Sequence, residues 1–289
     1  MEDIPLSAKM MLDDKKPAVI AQEFTDIVGV AKTQLPMMAV VILGMLAGAY
    51  IGFGGLLSSA VTFDMVPVSG IGLKKLISGA TFSVGLMLVI VAGAELFTGN
   101  NLIILSVMSG KTSLKDLSKN WLVVYLSNFA GSILVAMLFY FSGLWKTGDN
   151  GLGVAAIKIA HAKVNLTFTE AFVRSIGCNW MVCLAVWMAW GSRNIGSKIL
   201  AIFFPIMGFV AIGFEHCVAN MYFIPSALFL KEWGNISVAG VDLNSLSWSA
   251  FFFKNLLPVT IGNIIGGSIF VGMSYWYAYV KPNPNPNAK

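Results

Sequence analysis

Histidine, cysteine and charge are all scarce in this sequence, and each scarcity removes a class of function. Two histidines, His161 and His216, with no Asp/His cluster around them, do not build a metal centre, and no exposed nucleophile marks an enzyme. The three cysteines, Cys178, Cys183 and Cys217, all fall in apolar stretches without metal-ligand spacing, so neither a disulfide framework nor a metal or cofactor site is expected. Charged residues make up only 11% of the chain. The net charge of +5 comes without a basic stripe interleaved with aromatics, which excludes a nucleic-acid partner. Residues Met1 to Pro5 lack a basic region leading into an apolar core, so a cleaved signal peptide is not expected.

What remains is apolar. Hydrophobic residues make up 57% of the 289 positions, and the mean hydropathy is +0.77. An all-α integral membrane protein follows, its 29 glycines suited to close helix packing and to interrupted helices. Six spans are expected: about 36–57, a broken segment 76–108, 120–143, 169–190, a broken segment 199–230, and 250–279. Residues 1–35 read as an N-terminal segment. Its apolar stripe Ile20, Phe24, Ile27 and Ala31 makes an amphipathic helix that packs on the membrane surface or caps the bundle. The transmembrane domain then covers 36–280, and 281–289 form a disordered tail. The longest connection is 144–168. Six crossings put both termini on one side, and the Lys and Arg of the short loops place that side in the cytoplasm. Lys16, just ahead of the amphipathic helix, reads first as a membrane-surface anchor, with anion steering at a cytoplasmic entrance as its alternative role.

Two of these runs do not fit a bilayer. Residues 199–230 would reach roughly 48 Å as one helix, against a hydrocarbon core of about 30 Å. No polar turn divides them. A helix broken near the midplane resolves the mismatch, with Glu215 and His216 at the break. The run 76–108 poses the same problem around Glu95. Sliding the chain by 120 residues superimposes Glu95 on Glu215 and Asn100 on Asn220; Asn128 with Gly131 likewise echoes Asn263 with Gly266. Two interrupted segments at matching places in two halves point to an inverted repeat with a site at the midplane.

The chemistry at the breaks is that of an anion path. Half-helix N-termini present unpaired N–H donors and partial positive charge. Thr98 and Asn100 suit capping at the first break, and His216 can donate a hydrogen bond or a proton. Phe82, Leu86, Leu96, Phe97 and Phe209 surround the breaks, either as apolar constrictions that make an ion shed water or as ordinary bundle core. Glu95 and Glu215 would repel an anion, so they are expected to turn away and accept backbone N–H groups, with Asn100 and Asn220 beside them as structural residues. A neutral-solute pore of the aquaporin kind and an intramembrane enzyme are the competing classes.

The segments Ala94–Gly99, Lys119–Trp121, Asn179–Trp187, Gly213–Met221 and Pro258–Gly267 resemble the formate/nitrite transporter family across nearly the whole chain. The resemblance implies a homopentamer of six-helix, aquaporin-like protomers in a bacterial inner membrane, carrying formate, nitrite, hydrosulfide or related monocarboxylates. It maps a pore centre onto Thr98, His216, Asn179 and Asn263, adds Val182 to the constrictions, and places Lys163 near the outer mouth. Glu95 stands where formate members often have Asp, and Cys217 where Ser is common. In these respects the chain looks most like the hydrosulfide-conducting members.

Overall fold

The computed structural model describes residues 14–234, 236 and 238–281, apart from the side chains of 66–69. The expected tail at 282–289 and the first thirteen residues lie outside the described part. Helix α1 (17–34) leads into α2 (Met37–Thr62), α3 (Gly70–Gly93), the short α4 (Gly99–Met108) and α5 (Leu114–Phe141). Then follow α6 (Gly151–Val164), α7 (Phe168–Gly191), α8 (Ile195–Ile212), α9 (Cys217–Trp233) and α10 (Ala250–Val280). Six of these, α2, α3, α5, α7, α8 and α10, are long and apolar enough to cross a membrane.

Two helix crossings build the frame. Helix α2 packs along α5, and α7 along α10. Gly131 sits in the first crossing, where a methyl would collide with the Met45 carbonyl; Gly266 sits in the second, against the Ile176 carbonyl. The two glycines let the backbones approach closely, as small residues do between membrane helices. Helix α8 lies against α3, and α9 fills the space between α5 and α6.

Two elements differ from the sequence reading. The expected stripe on α1 holds for Ile20 and Phe24, but Ile27 is 61% exposed and Ala31 is exposed as well, while Val28 is buried. A π turn at Phe24–Val28 inserts one residue and rotates the apolar face by one position. The π turn frees carbonyls, and Ser106 Oγ of α4 donates to Phe24 O (3.0 Å) and Thr25 O (2.7 Å). The N-terminus of α1 is tied to the end of α7 through Glu23, which accepts from Lys15 Nζ (2.5 Å) and Trp190 Nε1 (2.6 Å). Burial raises the Glu23 carboxyl, but the Lys15 and Trp190 bonds outweigh it and hold it below its ordinary value.

The second difference is α6, which occupies the expected long connection 144–168. Its buried residues Leu152, Ala156, Ile157, Ala160 and Val164 recur at helical spacing, and the stretch is too short to span a bilayer. A helix of this length fits beside the bundle and carries Lys163 at its last turn.

Candidate functional site

Both interruptions begin at a glycine that only a residue without Cβ adopts easily. Gly93 (φ 90°) ends α3, and Gly213 (φ 96°) ends α8. The chain then leaves helical geometry until Gly99 and Cys217, so several backbone groups need partners. Two asparagines supply them. Asn128 Oδ1 accepts the Phe97 N–H (2.9 Å), while its Nδ2 donates to Gly44 O (2.8 Å) and Glu95 O (2.9 Å). Asn263 Oδ1 accepts the Cys217 N–H (2.9 Å), while its Nδ2 donates to Ser175 O (2.8 Å) and Glu215 O (3.0 Å). Asn128 thus fastens one non-helical stretch to α2, and Asn263 fastens the other to α7.

The glutamates do not accept backbone N–H groups, contrary to the sequence expectation. Glu95 Oε1 takes Lys32 Nζ (2.6 Å) and its Oε2 takes Asn100 Nδ2 (2.7 Å). Asn100 also donates to Asn120 Oδ1 (2.9 Å), and Asn120 donates to Lys32 O (3.1 Å), closing a ring. The second half repeats it. Lys163 Nζ reaches both Glu215 oxygens (2.9 and 3.0 Å), Asn220 Nδ2 donates to Glu215 Oε2 (2.7 Å) and Asn255 Oδ1 (2.7 Å), and Asn255 donates to Lys163 O (3.0 Å). The reason is energetic. Glu95 and Glu215 are 6% and 5% exposed, and a buried carboxylate is tolerated only with a charge partner.

Three cavities share lining residues in series. The first, about 530 Å³, is walled by α1 and by Lys198 at the start of α8, and reaches Glu95, Leu86 and Leu96. The second, about 680 Å³, is walled by α6 and by Gly213 at the end of α8, and reaches Glu215, Phe82, Phe209 and His216. They therefore open at opposite ends of α8. Between them sits a space of about 10 Å³ lined by Ile51, Phe82, Leu86, Leu96, Val182, Ile206, Phe209 and His216. It has room for about one water molecule.

One polar pair reaches this apolar layer from both interruptions. Thr98 Oγ1 lies 3.0 Å from His216 Nε2, with Thr98 fully buried and His216 3% exposed. The Ala219 N–H donates to His216 Nδ1 (3.1 Å), which caps α9. In the neutral imidazole the ring proton is therefore on Nε2, which donates to Thr98 Oγ1 and leaves the Thr98 hydroxyl proton free for another acceptor. Thr98 is held in place through its own carbonyl, which accepts from Asn179 Nδ2 (3.2 Å) and Cys183 Sγ (3.4 Å). Phe209 stacks over the His216 ring at 6.1 Å and meets Phe82 edge-on at 6.0 Å.

Comparison with known proteins decides what this arrangement belongs to. The family profile described as "Formate/nitrite transporter" matches residues 20–277. The chain belongs to the formate/nitrite transporter family. A relative described as "Probable formate transporter" from Methanothermobacter thermautotrophicus is 44% identical over 283 residues, covering 92% of this chain and 98% of the relative. "Formate channel FocA" of Escherichia coli (strain K12) is 37% identical over 278 residues, covering 92% and 95%. A solved "Pentameric formate channel with formate bound" superimposes with a TM-score of 0.78 at 37% identity, over 85% of this chain and 98% of that one.

The pore residues that the family resemblance assigned sort into two groups. Thr98, His216, Phe82, Leu86, Leu96, Val182 and Phe209 converge on the central space or its immediate partner. Phe97 does not. Its ring packs edge-on against Tyr125 (4.9 Å) and Trp121 (6.0 Å), on the side of α5. Asn128 holds the Phe97 N–H, and the neighbouring side chain Leu96 lines the central space in its place. Asn179 and Asn263 are buried with amides engaged by protein groups: Asn179 donates to Thr98 O, Asn101 Oδ1 and Asn263 O. They brace the site from behind. Thr98 and Asn100 do not cap α4 through their side chains. Lys16 is exposed and lines neither large cavity; Lys32 and Lys198 stand at that end. Sequence reasoning missed Lys32, Asn120 and Asn255 in the two rings, and Ile51 and Ile206 in the apolar layer.

Proposed function

We propose that this member of the formate/nitrite transporter family conducts small monovalent anions, formate first, through the three cavities in series. The observation that carries the reading is the Thr98–His216 pair, 3.0 Å apart, set in an apolar space of about 10 Å³ between two much larger cavities. A small anion leaving either large cavity sheds water at the Phe82/Phe209 or Leu86/Leu96 layer and meets the free Thr98 hydroxyl proton and the His216 ring. Lys32 and Lys163 neutralise the glutamates that line the cavities, so no bare carboxylate repels the ion. Relatives named as formate channels move the preference from hydrosulfide, favoured by the resemblance, to formate; nitrite and hydrosulfide are secondary permeants.

The same reading takes the two interrupted segments as halves of an inverted repeat in an aquaporin-like protomer, each half closed by its own Lys–Glu–Asn–Asn ring. The pentameric neighbour supports a homopentamer. The protein sits in the inner membrane of a bacterium-type cell, with α1 and both termini on the cytoplasmic side and the cavity of Lys163 on the outer side. Residues 36–280 form the channel unit, and α1 caps it.

Flux from purified protein in liposomes tests the reading. Formate efflux accelerates over empty liposomes, falls when nitrite or hydrosulfide competes, and is untouched by glycerol. Glycerol permeation with no formate flux would favour a neutral-solute pore instead.

A further inference from the structure

The two large cavities are unequally charged. Glu215, the carboxylate lining the 680 Å³ cavity, is held by Lys163. Lys74 and Lys75 of α3 and Lys158 of α6 line that cavity too, and none of the three has a carboxylate partner among the described residues. The 530 Å³ cavity has one such cation, Lys198. The proposed path for a single monovalent anion uses none of the three.

We propose that the 680 Å³ cavity is a binding site for small multivalent oxyanions, held by Lys74, Lys75 and Lys158, which occupy this mouth without passing. Three ammonium groups lining one cavity from two helices match an ion with several charged oxygens better than one with a single charge. The attraction grows with the charge of the ligand. Passage goes the other way. The Born cost of entering an apolar layer rises with the square of the charge, so a divalent ion meets about four times the barrier of a monovalent one. The space beyond is also only about 10 Å³. A multivalent oxyanion is therefore drawn in and stopped at Phe82 and Phe209, where it stands in the way of a smaller ion. The blocking half of this inference rests on the anion-path reading above; the binding half does not.

Inorganic pyrophosphate is the probe. Isothermal titration into the detergent-purified protein gives one site per chain, and Lys74→Gln/Lys75→Gln/Lys158→Gln weakens it by about tenfold or more, as loss of several charge-assisted contacts requires. Lys198→Gln, in the other cavity, leaves it unchanged. The three side chains are half-buried or exposed, so the triple variant keeps its fold. Lys158→Glu alone, a reversal of one charge, gives a second measure with the same direction. In liposomes with pyrophosphate on both faces, formate flux of the unmodified protein falls and that of the triple variant does not. Equal pyrophosphate affinity in the unmodified and triple-variant proteins overturns the site. Binding without any effect on a measurable formate flux overturns the block. Absence of formate flux before pyrophosphate is added contradicts the conduction reading and leaves the titration to decide the site by itself.

Discussion

Replacing Lys163 with Met lowers the stability of the folded protein by about 3–5 kcal/mol, because it strands the Glu215 carboxylate without its charge partner. Lys163 and Glu215 side chains are 16% and 6% exposed, so water cannot replace the lysine fully. Asn220 stays, but a single amide donor does not neutralise a charge. The double variant Lys163→Met/Glu215→Gln recovers most of the loss, since a neutral amide needs no counter-charge. Flux follows a second logic. A bare carboxylate in the 680 Å³ cavity repels anions, so the single variant conducts poorly even where it remains folded. Thermal unfolding of the purified proteins reads the first effect; a single variant as stable as the double contradicts it. The ring of Lys32 and Glu95 behaves the same way for the same reason.

The second large effect separates two phenylalanines that the sequence treats alike. Phe209→Ala opens the layer next to His216, so acetate and other anions larger than formate pass and compete. Phe97→Ala leaves this selectivity as it was, because its ring faces Trp121 and Tyr125. Its cost is packing: about 3–5 kcal/mol for a buried phenylalanine, with the cavity left behind. Anion-competition assays on the two folded variants give the contrast. Widened selectivity in Phe97→Ala, or none in Phe209→Ala, reverses the assignment.

Much of this architecture was legible in the sequence because lipid imposes severe rules. An apolar run too long for one crossing and too short for two, with an ionisable residue at its centre, leaves few solutions; the backbone is non-helical at 94–98 and 213–216, around Glu95 and Glu215. The convergence of Thr98 with His216 followed from the 120-residue offset. What stayed hidden depends on register and on partners elsewhere in the chain. Nothing in Phe24–Val28 marks a π turn, and one inserted residue was enough to move the buried face of α1 from Ile27 to Val28. Helix α6 was lost because its glycines and alanines read as connection, although its buried positions keep helical spacing.

The glutamates were misjudged for a more instructive reason. A carboxylate at a helix break has backbone donors close by, and those looked sufficient. At about 5% exposure an ion pair wins, and the lysines that supply it sit far away in sequence. Lys32 and Lys163 stand 131 residues apart, and Asn120 and Asn255 135, neither at the offset of 120 that superimposes the glutamates. The echo of Asn128 in Asn263 already carried the offset of 135 and was a signal for the missing members.

The proposed path passes through the apolar layer at His216. Its most direct test is formate flux into liposomes carrying either the unmodified protein or Val182→Phe, which fills the central space from a residue only 1% exposed. Added bulk there costs about 1–3 kcal/mol, so the folded state is verified first by thermal unfolding. The account predicts formate flux in the unmodified protein and its near-complete loss in the folded variant. Equal flux from the two would contradict it.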